Sequence, residues 1–197
     1  MLGLKLPTDP RWLALVESNI SEILTDHAWC EQKAASNAIS LIVRHSEHPE
    51  LVEEMGKIAV EEMEHFNLVV AKIKEKGLKL GAERRDDYVN DLMEFMIKGG
   101  NREQQLVDRL LFAAMIEARS CERFKMLSEK MKDADLREFY FSLMASEAGH
   151  YATFIGFARK YSKSVNVDKR WQQFLDYEAG LMEKYGRKET MQIERAS

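Results

Sequence analysis

Proline and cysteine are scarce in this chain: three prolines and two cysteines, with ten glycines, in 197 residues. So few prolines and glycines leave long stretches in which nothing interrupts a helix. Two cysteines do not make a disulfide framework, and they supply no CxxC pairs of the kind that hold a rubredoxin iron. No apolar run approaches the roughly 18 residues needed to cross a bilayer. Nor does a charged, then apolar, then small-residue stretch open the chain as a secretory signal. The expectation is a soluble, cytoplasmic protein with no membrane contact. A net charge of −4 argues against a surface that coats nucleic acid generally, and leaves room for a local basic patch. With 45% hydrophobic residues, 1–197 is long enough for one domain with a substantial core.

What the chain does contain is helical periodicity with polar intruders. The stripe Leu51, Met55, Ile58, Glu62, His65, Val69, Ile73 steps by three and four residues, the period of a helix face turned to a core. Glu62 and His65, spaced i, i+3, point inward together one turn apart. A buried carboxylate and imidazole are costly unless a partner compensates, and a metal ion is the usual partner. The same spacing returns as Glu147 and His150 on the stripe Leu136, Tyr140, Leu143, Glu147, His150, Phe154, Phe157, Tyr161. Glu31 precedes the first motif, on Ile20, Leu24, His27, Glu31, Ala34, Ala38, Leu41. Glu117 precedes the second, on Leu106, Leu110, Ala113, Glu117, Ser120, Phe124, Leu127. The chain therefore reads as two copies of Glu, a spacer of about 30 residues, then Glu-x-x-His.

The spacer has a geometric reason. With turns near His45 to Pro49 and near Lys132 to Asp135, the first Glu and the Glu-x-x-His of each copy lie roughly 20 Å from one end of an antiparallel hairpin, at 1.5 Å per residue. Four carboxylates and two imidazoles then converge in an all-α, ferritin-like four-helix bundle, the ligand set of di-iron and di-manganese carboxylate proteins. Core helices are expected at about 10–45, 49–76, 102–131 and 134–163. A long crossover of 77–102 should carry a short helix in 86–98. A C-terminal amphipathic helix is expected at about 168–185, offering Trp171, Phe174, Leu175, Leu181 and Met182, with a frayed tail from Glu189. Carboxylate and imidazole donors suit iron(II), with manganese second, and the lack of Cys ligands disfavours structural zinc. Glu31 and His65 with Glu62 are assigned to one metal, and Glu117 and His150 with Glu147 to the other. Glu62 and Glu147 are the expected bridges.

Other residues carry alternatives. His27, one turn before Glu31, reads either as a core histidine bonded to a backbone carbonyl or as a partner that orients Glu31. Cys30 and Cys121 read as packing or pocket-wall residues. Glu61, Glu64 and Glu122 lie off the stripes, solvated or hydrogen-bonded to ligands. Ala34, Ala35, Ala38, Ala113, Ala114 and Ala118 leave either close helix packing or room for substrate.

The runs Asp26-His27-Ala28-Trp29-Cys30-Glu31-Gln32-Lys33-Ala34-Ala35 and Glu117-Ala118-Arg119-Ser120-Cys121-Glu122-Arg123-Phe124 resemble the tRNA-(2-methylthio-N6-isopentenyladenosine) hydroxylase family. So do Glu61-Glu62-Met63-Glu64-His65-Phe66 and Ser146-Glu147-Ala148-Gly149-His150-Tyr151, and the resemblance covers nearly the whole chain. It implies a non-haem di-iron monooxygenase that uses O2 to hydroxylate the isopentenyl group beside the tRNA anticodon. Glu31, Glu62, His65, Glu117, Glu147 and His150 would be its iron ligands. An unidentified electron-donor protein is then needed, because no flavin or iron–sulfur motif is present, and the chain would act as a monomer or small homo-oligomer. The alternatives are a ferritin-like ferroxidase or iron-handling protein, and a di-iron oxidase of a small molecule. For tRNA, two basic clusters qualify as phosphate contacts: Lys72, Lys74, Lys76, Lys79, Arg84 and Arg85, or Arg159, Lys160, Lys163, Lys169 and Arg170.

Overall fold

The computed structural model describes the backbone of residues 2–196 and the side chains of residues 2–186. Among the described residues all regular structure is helical, in seven segments: α1 (Arg11–Ser18), α2 (Ile20–Arg44), α3 (Pro49–Glu75), α4 (Asp87–Glu94), α5 (Arg102–Lys130), α6 (Ala134–Tyr161) and α7 (Val167–Ala196). They fall into two compact units, Val16–Arg85 and Met1–Leu15 with Asp86–Ser197. No helix is long and apolar enough to cross a membrane.

One long first helix was expected over 10–45, and the chain instead breaks at Asn19. Its φ of −136° and ψ of 44° leave the helical region. Asn19 N still donates to Val16 O, while Glu22 N and Ile23 N donate to Asn19 O, so the break is a single-residue step. Asn19 also donates from Nδ2 to Ser18 Oγ at 2.9 Å. Adjacent Ser and Asn side chains compete locally for hydrogen bonds, which weakens a helix interior.

In the unit Val16–Arg85, α2 and α3 form an antiparallel hairpin. Pro49 sits at the first position of α3, where its missing N–H costs nothing. At the other end Leu78 N donates to Ile73 O and Gly77 N to Lys74 O, the paired bonds of a Schellman cap. This cap needs the left-handed backbone that Gly77 supplies with a φ of +69°. The chain then runs back along α2 as a strap. Trp29 Nε1 donates to Gly81 O at 3.0 Å, and Gly81 N donates to Thr25 Oγ1 at 3.2 Å. Lys33 Nζ donates to Arg84 O at 3.0 Å and pairs with Glu83 at 2.6 Å, and Arg84 pairs with Glu22. A Cβ at Gly81 would lie 3.1 Å from Thr25 Cγ2, so a larger residue there would have to push the Thr25 methyl aside by a few tenths of an ångström.

In the other unit each helix start is capped. Asp86 accepts from Val89 N ahead of α4, Asn101 and Gln104 make a reciprocal capping box on α5, and Asp133 accepts from Asp135 N and Leu136 N ahead of α6. The α5–α6 hairpin is antiparallel: the Phe124 and Tyr140 rings lie 5.3 Å apart, and Cys121 Sγ reaches Met144 O at 3.6 Å. α5 is buried on nearly every side, including Val107, Leu110, Leu111, Ala114, Met115 and Ala118. α7 brings Phe174 and Leu175 inward as expected, with Phe95 stacked on Tyr177 at 4.4 Å. The backbone of α7 stays helical past the expected end near Tyr185, to Ala196. The segment beyond Gly186 holds good helix formers and no proline. The frayed tail expected from Glu189 falls outside the residues whose side chains are described.

Candidate metal centre

The four stripes become largely buried helix faces, with Ile20, Ala34, Ser120, Phe157 and Tyr161 half-buried, and all six expected ligands lie on them. Relative exposures are 4% for Glu31, 0% for Glu62, 9% for His65, 4% for Glu117, 2% for Glu147 and 4% for His150. In the first hairpin, Glu31 from α2 meets Glu62 and His65 from α3, with ligand atoms of the three within 4.8 Å of one another. His65 Nδ1 lies 3.6 Å from Glu31 Oε2 and 3.7 Å from Glu62 Oε2. In the second hairpin Glu117, Glu147 and His150 gather within the same distance. His150 Nε2 and Ser146 Oγ are 3.5 Å apart.

The electrostatics call for a cation. Burial lowers the His65 pKa, but the hydrogen bonds and charges of Glu31 and Glu62 more than offset this and hold it at about 10. For Glu31 burial acts to raise the pKa, while the charge and hydrogen bond of His27 pull it well below the carboxylate range. Two carboxylates thus favour positive charge at this spot, which a metal ion held by the neutral imidazole would supply. The donor set is all carboxylate oxygen and imidazole nitrogen, which fits iron or manganese.

His27 resolves toward the ligand. Its Nε2 lies 2.5 Å from Glu31 Oε1, with both side chains buried. Such a contact fixes a carboxylate's rotamer and direction, as outer partners of metal ligands do. Cys121 is a buried packing residue whose thiol burial pushes up to about 11, whereas Cys30 is exposed. Glu61 and Glu64 are exposed.

Glu122 belongs to a different buried assembly, which the stripe reading missed. Arg119 is 1% exposed and Glu178 0%. Arg119 Nη2 donates to Glu178 Oε1 at 2.6 Å and to Leu6 O at 3.0 Å, and its Nη1 donates to Glu122 Oε2 at 2.9 Å. Tyr88 Oη donates to Glu178 Oε1 at 3.2 Å, and Thr8 Oγ1 to Glu122 Oε2 at 2.6 Å. Only two residues from Glu117, Arg119 therefore spends its charge on α7 and the N-terminal segment. The sequence carried a signal for this, since Glu178 interrupts the apolar spacing Trp171, Phe174, Leu175, Leu181, Met182 as Glu62 interrupts its own.

The second basic cluster also changes standing. Arg170 is committed to Asp108 at 2.6 Å and to Phe95 O at 3.0 Å, with its guanidinium over the Phe95 ring. Arg159 pairs with Asp168 at 2.8 Å. Arg170 is thereby structural, whereas the Arg159 pair is exposed, with side chains 60% and 76% accessible.

A solved structure from Synechococcus, described as protein 43 with aldehyde deformylating oxygenase activity, is similar to this chain. The TM-score is 0.84 and the identity 35%, covering 89% of this chain and 86% of that one. The fold is thus the ferritin-like helical one. A tRNA 2-(methylsulfanyl)-N(6)-isopentenyladenosine(37) hydroxylase of Pseudomonas putida is 35% identical over 161 residues, 82% of this chain and 77% of that protein. The enzyme of the same description from Salmonella typhimurium is 26% identical over 91% of this chain and 83% of its own length. The family model described as tRNA-(MS[2]IO[6]A)-hydroxylase (MiaE) matches residues 2–192, and the chain belongs to that family.

Proposed function

We propose that this chain hydroxylates the isopentenyl group of 2-methylthio-N6-isopentenyladenosine in tRNA, with two iron ions, O2 and electrons from an external donor protein. The observation that carries the reading is family membership across residues 2–192, with both Glu, Glu-x-x-His sets intact. Glu31, Glu62 and His65 would hold one iron, and Glu117, Glu147 and His150 the other, with Glu62 and Glu147 as bridges. When bound, the iron pair supplies the activation of O2. In the overall balance one oxygen atom enters a C–H bond as hydroxyl and the other leaves as water, with two electrons from the donor and two protons. The chain's own part is to present hard donors in a buried setting. His27 holds Glu31 in one orientation through its 2.5 Å contact. The reaction belongs in the cytoplasm, where tRNA and reductant are, and a monomer or small homo-oligomer suffices for it.

The solved Synechococcus relative favours one second reading, an aldehyde deformylating oxygenase activity carried by the same residues. The purified chain should carry about two iron ions, the complement of this ligand set. Glu31→Ala, His65→Ala and His150→Ala should each deplete them, and full occupancy in all three would reject the ligand assignment. Supplied with reductant, O2 and tRNA bearing the modified adenosine, the enzyme should yield a nucleoside heavier by one oxygen atom. Unchanged tRNA alongside consumption of an aldehyde with loss of its formyl carbon would transfer the assignment to the second reading.

A further inference from the structure

Resting on the tRNA reading, we infer that the C-terminal end of α3 and the strap after it form the surface that grips the RNA backbone, with Lys74, Lys76, Lys79 and Arg85 receiving phosphates. Residues 72–85 hold six cations against two acids in a chain whose net charge is −4. Lysines at the end of a helix are ordinarily explained by its negative pole. That accounts for Lys72 and Lys74 in the last turn of α3. It does not account for Lys79, Arg84 and Arg85, which follow the Gly77 cap on non-helical chain. Lys74, Lys79 and Arg85 are exposed.

The strap is held by backbone contacts along a single line of α2. Thr25, Trp29 and Lys33 take Gly81 N, Gly81 O and Arg84 O in succession. Trp29 is itself braced against Phe66 of α3, with ring centroids 5.9 Å apart. Two acids in reach are already matched, Glu83 with Lys33 and Glu22 with Arg84. A preorganised cationic edge loses little entropy on binding a polyanion. Thr25, Trp29 and Lys33 lie on the same helix as the proposed ligand Glu31, so the strap follows that helix at the ligand's level. Phosphates seated there would lie beside the helix that carries the site. The competing cluster has given Arg170 to the buried Asp108.

The test uses iron-loaded protein and tRNA bearing the modified adenosine. The variant K74E/K79E/R85E is compared with K160E/K163E/K169E in binding titrations at several salt concentrations. The first variant should lose about tenfold or more in affinity, and the salt slope should become shallower by about one per lost phosphate contact. Its iron content and helicity should match the wild type. The second variant should stay within about twofold, as expected for lysines that make no phosphate contact. Unchanged affinity and slope in the first variant, while the wild type still hydroxylates the tRNA, would overturn the surface and leave the function standing. Loss in the second variant alone would also overturn it. Unchanged tRNA binding with slower reduction by the donor protein would assign the patch to the donor instead. A wild type that neither binds nor hydroxylates the tRNA would take down the functional reading and the surface with it.

Discussion

The two hairpins carry the same proposed ligands but support them differently. One turn before Glu31 stands His27, in contact with its carboxylate. One turn before Glu117 stands Ala113, buried and without a polar group. The α2–α3 hairpin leaves Ile39, Val43, Val60 and Leu68 at 50–73% exposure, whereas α5 buries Leu110, Leu111, Phe112 and Met115. On the far side of α5 lies the Arg119 and Glu178 network, which the first hairpin does not repeat. One half steadies its first carboxylate by a direct side-chain contact. The other buries more faces of the helix that carries it. A repeated pattern of buried carboxylate and imidazole therefore leaves the means of supporting it free to differ.

The most damaging break in this comparison should be Arg119→Met, which leaves Glu178 buried without its guanidinium. Removing one partner of a buried pair costs about 3–5 kcal/mol, and in a chain of this size that lowers Tm by roughly 10 °C. Arg119→Met with Glu178→Leu should recover much of the loss, and a melting point unchanged in the single variant would remove the network from the account. Next comes His27→Ala, expected to weaken iron binding by about 10- to 100-fold at one position of the pair. Chelator competition reads this as one weakened iron beside one normal one. Equal weakening of both would erase the asymmetry.

A smaller effect belongs to Glu103, which accepts backbone N–H groups from Ser164, Lys163 and Val165 and is held down to about 2 from an ordinary 4.5. Because the folded value lies below the unfolded one, its contribution is complete above about 4.5 and is lost as pH falls from there toward about 2. Glu103→Gln should flatten the fall of Tm across that window and leave the curve's shape unchanged near neutrality. The smallest effect is predicted for Val60→Lys on the open face of α3, within about 0.5 kcal/mol by chemical denaturation. A large loss there would show that this face is covered in the working protein.

Much of this architecture is legible in the sequence because burial on a helix has a period. Leu51, Met55, Ile58, Glu62, His65, Val69 and Ile73 are all buried, as their spacing predicts. Both loops that end in Gly or Pro fell where those residues fix the backbone. The break at Asn19 escaped because Ser-Asn is tolerated in helices and gives no sharp stop. The role of His27 stayed open because spacing places a side chain on a face without saying which atom it meets. Arg119 escaped for another reason. α5 is buried on more than one face, so a single stripe cannot describe it, and the counter-charge stands 59 residues away.

That separation has a consequence for synthesis. Arg119 gathers Leu6 and Thr8 from the beginning of the chain and Glu178 from near its end. As the polypeptide leaves the ribosome, α5 emerges with a cation that its hairpin partner α6 is not seen to neutralise. Glu122 of α5 itself pairs with Arg119 at 2.9 Å, while Glu178 can join only once α7 has been made. The buried guanidinium thus gains its second carboxylate only when α7 docks, and this network is completed after the α5–α6 hairpin has been made.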